Sequence, residues 1–185
     1  MLPITTFRAH IDALRNQRTG SGGRPTWTAV ALYLVPFAAG VWSYVATWNL
    51  SSSVANLIGG FALIAGVLMA VFSLLAGWRR ELENRASKRP SSESWARREV
   101  HAAVAHTLVG VWASVVAAIM VILLGALPAE SSVEQLVNAG VAGLGVYIAL
   151  LIMVIVNALH AGYEASIDLD LLERDKQERD QRSEV

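Results

Sequence analysis

The stretch VHAAVAHTLVGVWASVVAAIMVILLGAL, from Val100 to Leu127, decides the fold class of this chain. It contains no Asp, Glu, Lys or Arg, and it is longer than the roughly 20 apolar residues with which a helix crosses the hydrocarbon core of a bilayer. Three other stretches have the same character. The sequence therefore predicts an all-α, polytopic membrane protein with four transmembrane helices, at about 27–48, 54–78, 101–127 and 136–163.

Composition excludes several classes of function. Hydrophobic residues make up 54% of the chain and charged residues only 16%, against about 25% charged residues in an average soluble domain. There is no Cys, which excludes disulfides and thiolate metal sites. The predicted spans contain no Asp, Glu, Lys or Arg, the residues that ion-coupled transporters keep inside their bundles. Ser114 lies about 12 Å along its helix from His106, too far to be activated by it. We expect a protein that is not an enzyme and has no metal site.

Basic residues are confined to three segments, which are 1–24, the loop 79–98 and the tail 164–185. The turns at 49–53 and 128–135 carry no Lys or Arg. Because Lys and Arg mark cytoplasmic loops, we expect both termini in the cytoplasm. The residue usage suggests the inner membrane of a bacterium. The basic residues of the loop are Arg79, Arg80, Arg85, Lys88, Arg89, Arg97 and Arg98.

The two terminal segments differ in pattern. In residues 1–24, Phe7, Ile11 and Leu14 are spaced as on one face of an amphipathic helix at a membrane surface. Residues 164–185 carry acid-before-base pairs four apart, which predicts that the fourth helix continues out of the membrane as a charged helical tail. The domain boundaries follow as 1–24, 25–163 and 164–185.

Small residues spaced by four recur in three spans, and such spacing lets helices approach closely in lipid. We expect a homo-oligomer in which either Gly110 and Ser114, or Ala62 and Gly66, face a neighbouring helix. The helix-packing candidates are Ala62, Gly66 and Ala70, then Ala102, Gly110, Ser114 and Ala118, and finally Gly143.

Two further features concern the first span. Pro36 leaves the carbonyl of Leu32 without its helical partner, which predicts a kink that is either static or a hinge. The turn at 49–53 is short, so the first two spans are predicted to be antiparallel neighbours.

Polar side chains within the spans concentrate near the cytoplasmic end, where His106, Asn157 and His160 are predicted to lie at one depth. Three interpretations compete. The cluster could be a gating or ion-facing ring in an oligomer. His106 and His160 could ligate haem b, although otherwise we expect no cofactor. The three could instead form interhelical hydrogen bonds that only hold the bundle together.

These features predict a non-enzymatic, oligomeric membrane protein whose partners are the bilayer and copies of itself. Its function would be that of a channel or a membrane-perturbing effector controlled from the cytoplasm. The alternatives are a scaffold or sensor that recruits a cytosolic protein through 79–98 and 164–185, and a haem b electron carrier. Acidic residues interspersed in the basic loop argue against nucleic acid. In layout alone the chain resembles small four-span membrane components of bacterial defence and stress systems.

Overall fold

The computed structural model describes residues 27–86, 94–128 and 131–183. Within these ranges the chain is helical and contains no strand, so the all-α prediction is confirmed for them. The amphipathic segment predicted in residues 1–24, together with Lys88 and Arg89, lies outside the described residues. The helices are α1 (Trp27–Val45), α2 (Val54–Ala86), α3 (Ser94–Ala126) and α4 (Ser132–Ser183), with a short 3-10 turn at Ser51–Ser53 before α2.

Three of these helices contain stretches long and apolar enough to cross a membrane, which are Ser51–Arg80, Ala102–Ala126 and Ser132–His160. The apolar part of α1, Val30–Val45, is shorter. A helix pairs its backbone N–H and C=O groups within one segment, as hydrocarbon requires. These three helices indicate a membrane protein.

The described helices pack in the order α2, α3, α4, α1. The prediction that the first two spans are packed neighbours is wrong, because α1 packs mainly on α4. The reason lies in the connection between α1 and α2. It extends over residues 46–53, since α1 ends at Val45 and not at the predicted Trp48. The N–H of Leu50 donates to Oδ1 of Asn138 on α4 over 3.2 Å, which ties the connection to α4.

The early end of α1 is a Schellman motif. The N–H of Trp48 donates to the carbonyl oxygen of Ser43 over 3.1 Å, and the N–H of Thr47 donates to that of Tyr44 over 3.3 Å. Thr47 occupies the left-handed position of the motif with φ 50°. A β-branched residue is unfavourable there, so the hydrogen bonds of the motif hold a strained backbone.

Two glycines bring α1 and α4 together. A methyl group at Gly143 would lie 3.0 Å from the carbonyl oxygen of Pro36, and one at Gly40 would lie 3.1 Å from that of Ala139. The Cα of Gly40 would be 3.8 Å from the methyl group at Gly143. The two backbones are therefore nearly in contact, as small residues permit between helices in lipid. Pro36 is buried in this contact.

The centre of the bundle is formed on α3. A methyl group at Gly110 would lie 2.9 Å from Leu68 of α2 and 3.1 Å from Leu151 of α4. Both leucines belong to a buried cluster that also includes Leu32 of α1 and Val109 of α3. All four described helices therefore contribute to one apolar core.

Gly143→Ala tests the contact between α1 and α4. The added methyl group meets the backbone of Pro36, which cannot move aside as a side chain can, so we expect a loss of about 1–3 kcal/mol of unfolding free energy. Gly145→Ala is the matched control, since its methyl group would lie 4.0 Å from the nearest atom, in Phe61. It should be neutral or stabilising by up to about 1 kcal/mol through helix propensity. Thermal unfolding in detergent, followed by circular dichroism, measures both. Equal stability of the two variants would contradict the contact.

Candidate functional site

The file of small residues on α3 lies inside the bundle of a single chain. Ala102 is 7% exposed, His106 and Ser114 are 0% exposed, and Gly110 is buried against Leu68 and Leu151. Ala118 is only partly buried. Of the two faces predicted to meet a neighbouring copy, the one with Gly110 and Ser114 is thus covered by helices of the same chain. This part of the oligomer prediction is wrong, because α2 and α4 already fill that face.

The buried hydroxyl groups of α3 form hydrogen bonds within their own helix. The Oγ1 of Thr107 donates to the carbonyl oxygen of Ala103 over 2.7 Å, and the Oγ of Ser114 donates to that of Gly110 over 2.9 Å. Each hydroxyl donates to the carbonyl oxygen one turn earlier. This hydrogen bond offsets the free-energy cost of burying the hydroxyl group. The donor of each hydroxyl is thus used within α3.

The three polar residues predicted to form one cluster differ in burial. His106 is fully buried, whereas Asn157 and His160 are exposed on α4. No hydrogen bond among the described residues joins His106 to Asn157. Haem ligation by His106 and His160 stays a prediction. The buried histidine and the exposed pair therefore have to be considered separately.

The outward side of α2 carries a continuous file of small and polar residues. We call this file the outer stripe, and its spacing alternates between three and four residues, so that it stays on one side of the helix. A methyl group at any of its three glycines would meet no atom within 4 Å. The outer stripe consists of Asn56, Gly59, Leu63, Gly66, Ala70, Ser73 and Gly77, all exposed.

The buried side chains of α2 lie on the opposite side of the helix. They are Phe61, Leu68 and Leu75, which pack into the bundle. Of the predicted packing residues, Ala62 borders the outer stripe, and Gly66 and Ala70 belong to it. The sequence analysis missed the remaining members, although the alternation of three and four from Asn56 to Gly77 was readable.

Outside the stripe the outer surface of the bundle is bulkier, and this includes Val67, Met69 and Leu74 of α2 itself. Exposed positions of α1 and α3 bear bulky apolar side chains, as expected for surfaces in contact with lipid. On α1 they include Leu34, Phe37 and Trp42, and on α3 they include Val115, Ile119 and Leu123. The outer stripe of α2 has a single large residue, Leu63, which is 71% exposed. Its composition sets it apart as a surface suited to another helix or to water.

A groove of about 750 Å³ lies between α1 and α3, with α4 as its floor. Gly40, Gly140 and Gly143 are among its lining residues, together with Ala139. These small side chains leave the space open. Sequence analysis did not predict this groove, since it follows from the position of α1 on α4.

The two ends of the bundle carry the remaining polar groups. Arg79 and Arg80 are exposed at α2, whereas the side chains of Arg85, Arg97 and Arg98 lie outside the described part. At the opposite end, where α4 begins, the N–H of Glu134 donates to Oγ of Ser131 over 3.1 Å, in keeping with the capping spacing there. Glu134 and Asn138 are both buried.

Comparison of this chain with protein-family models, with curated proteins and with solved structures gave no match.

His106→Ala tests the burial of the imidazole. Removing a fully buried ring leaves a cavity among α2, α3 and α4, and we expect a loss of about 2–4 kcal/mol of unfolding free energy. His160→Ala and Asn157→Ala, at exposed positions, should each change it by no more than about 0.5 kcal/mol. Chemical or thermal unfolding in detergent measures the three variants. A loss at Asn157 as large as that at His106 would support the predicted cluster.

Proposed function

We propose that this chain is a non-enzymatic, homo-oligomeric membrane protein that forms a channel, with the outer stripe of α2 turned toward the axis shared by the subunits. The observation that carries the proposal is the composition of this stripe. It is exposed and lies opposite the bundle core, and it replaces bulky apolar residues with Gly, Ala, Ser and Asn.

Small residues favour the approach of α2 helices from several copies. In lipid, helices associate through van der Waals contact and not through the hydrophobic effect. Small side chains therefore stabilise association most where another helix can pack closely against them. Gly59, Gly66 and Gly77 offer such a surface, since nothing in the same chain lies within 4 Å of an added methyl group. Copies of the same chain are the simplest partner because each brings an identical stripe.

The polar members of the stripe favour a water-filled axis. The amide of Asn56 lies near the exterior end and the hydroxyl of Ser73 near the cytoplasmic end. The Oγ of Ser73 donates to the carbonyl oxygen of Met69 over 3.1 Å and retains acceptor capacity. Leu63 lies between them as the only large apolar residue of the stripe. A ring of leucines would form a hydrophobic constriction of the kind that gates by dewetting.

The proposed subunit crosses the membrane four times with both termini in the cytoplasm. The contact of α1 with α4 supports α1 as the fourth span, because Gly40 and Pro36 meet residues in the apolar part of α4. Exposed bulky residues on α1 suit a lipid environment. The absence of Lys and Arg from residues 49–53 and 128–135 supports the orientation. An inner membrane of a bacterium, and a role in defence, are part of the same proposal.

Disulfide cross-linking tests the oligomer. The chain has no Cys, so Gly66→Cys introduces a single thiol at a position where nothing in the same chain obstructs it. Oxidation of membranes containing this variant should give covalent dimers in high yield. Ile119→Cys, exposed on the bulky outer face of α3, should remain largely monomeric. Equal yields from both variants would mean that collisions, and not a specific interface, produce the dimers.

Ion flux from liposomes tests the channel. Leu63→Ala should widen the proposed constriction and raise the basal flux about tenfold or more, because a narrower apolar ring excludes water more strongly. Ile119→Ala, which truncates an exposed apolar residue on α3, should leave the flux unchanged. Dimers formed through Gly66→Cys would support the oligomer. If Leu63→Ala nevertheless conducts no better than the unsubstituted protein, the proposed pore would be contradicted.

A scaffold that recruits a cytosolic protein is the second candidate. It is favoured by α4, which continues from its apolar part at His160 to Ser183 without interruption. That extension adds about 35 Å of helix at a rise of 1.5 Å per residue, and it carries most of the charge of the C-terminal region. The flux measurement separates the two candidates, since a scaffold would conduct in none of the variants.

A further inference from the structure

The outer stripe of α2 leads to an arginine at its C-terminal end. One of its two rows repeats every seven residues through Gly59, Gly66 and Ser73, and the next position of that row is Arg80. A repeat of seven is the spacing with which supercoiled helices keep one seam facing their partners. Arg80 is exposed, and it is the last residue of the apolar stretch Ser51–Arg80. A guanidinium group therefore lies on the line of the stripe, where α2 leaves its apolar part.

The rest of the stripe carries no charge. From Trp27 to Arg80 the sequence contains no Asp, Glu or Lys, and its only arginines are Arg79 and Arg80. The polar members of the stripe, Asn56 and Ser73, are both neutral. An ion that moves along the stripe would thus meet one kind of charge, and that charge is positive.

The other charged residues near Arg80 lie away from this line. Glu81 and Glu83 follow it in the sequence. Because successive residues of a helix are about 100° apart around its axis, positions 81 and 83 fall on the two flanks of the stripe. Arg79 lies about 100° from Arg80 on the side opposite to Glu81, which is also off the stripe. If copies of α2 surrounded one axis through their stripes, position 80 would be the charged position nearest to that axis.

The other end of α2 adds no negative charge to the stripe. The first turn of α2 contains no acidic residue, and α2 follows the 3-10 turn Ser51–Ser53 without a break. The N-terminus of a helix carries a partial positive charge. An axis lined by α2 would therefore have positive potential at both ends, and a field of one sign raises the local concentration of ions of the opposite sign.

We infer that the channel proposed above conducts small inorganic anions such as chloride, and that Arg80 determines this selectivity. The inference rests on the proposed channel, because only copies of α2 around a common axis would gather several Arg80 side chains. Rings of Arg or Lys select anions in pores, whereas rings of Asp or Glu select cations. In the proposed orientation the ring lies at the cytoplasmic mouth, about 25 Å along the helix from Leu63. Leu63 would control whether the pore is open, and Arg80 would control which ions enter it.

Reversal potentials in planar bilayers provide the test. The full chain is reconstituted and a gradient of KCl is applied at about 0.1 M salt, where a Debye length of about 10 Å leaves the field of the ring effective. We expect chloride to be about five times more permeant than potassium, or better. Arg80→Gln should lower the permeability ratio of chloride to potassium about fivefold, to near one, because it removes one ring charge from every subunit.

Two variants are matched controls. Arg79→Gln removes the same charge one residue away and off the stripe, and it should change the permeability ratio by less than about twofold. Arg80→Lys keeps a positive charge on the stripe, and it should retain the preference for chloride.

Charge can also be altered in a pore that has already assembled. The chain has no Cys, so Arg80→Cys provides a single thiol for modification. A methanethiosulfonate reagent that carries a trimethylammonium group should restore the preference for chloride. A reagent that carries a sulfonate group should instead make the pore prefer potassium.

Two outcomes would overturn the inference and leave the proposed channel standing, since each requires a conducting pore. A pore of the unsubstituted protein that prefers potassium, or neither ion, would show that the flanking Glu81 and Glu83 offset the arginine ring. Equal permeability ratios in Arg80→Gln and Arg79→Gln would show that the arginine on the stripe has no special part in selectivity. A different result, no conductance from the unsubstituted protein, would contradict the proposed channel and this inference together.

Discussion

The close backbone contact between α1 and α4, at Gly40 and Gly143, determines how the rest of the described chain is arranged. Lipid tails are as apolar as leucine side chains, so helices in a bilayer choose neighbours by how closely their surfaces fit. Because α1 fits against α4, it leaves the outer stripe of α2 uncovered. For the same reason a gap remains between α1 and α3, which is the groove. Both candidate functional surfaces thus result from one pair of glycines.

Polar groups are used in two distinct ways in this bundle. Inside, Thr107 and Ser114 bond carbonyl oxygens of their own helix, and Asn138 accepts a hydrogen bond from Leu50. Such hydrogen bonds stabilise the fold by pairing polar groups that would otherwise be buried without a partner. Outside, Asn56 and Ser73 lie on an exposed helix surface, where Ser73 bonds a carbonyl oxygen of its own helix and both side chains remain accessible to groups outside the bundle. This contrast supports a function at the outer surface of α2 and not at the buried histidine.

The small-residue pattern shows how far periodicity can be interpreted in a membrane protein. The file through Gly110 and the file through Gly66 have the same spacing, yet the first is buried by Leu68 and Leu151 and the second is exposed. In a soluble protein, polar residues would mark the outward side of each helix. In lipid both the core and the outer surface are apolar, so the pattern identifies a face without indicating whether that face is internal.

The sequence by itself determined that the described chain is helical and suits a membrane, and that the second span begins at about Val54, where α2 begins. It predicted four spans, and three described helices are long and apolar enough to cross a membrane. Long uncharged stretches separated by short turns suffice for these features, because backbone groups in hydrocarbon must pair within one helix. Only the tertiary structure decided that α1 packs on α4, that His106 is buried while Asn157 and His160 are exposed, and that a groove exists. Those features depend on the fit between surfaces of distant segments, and the left-handed backbone at Thr47, which ends α1 early, cannot be inferred from its residue type.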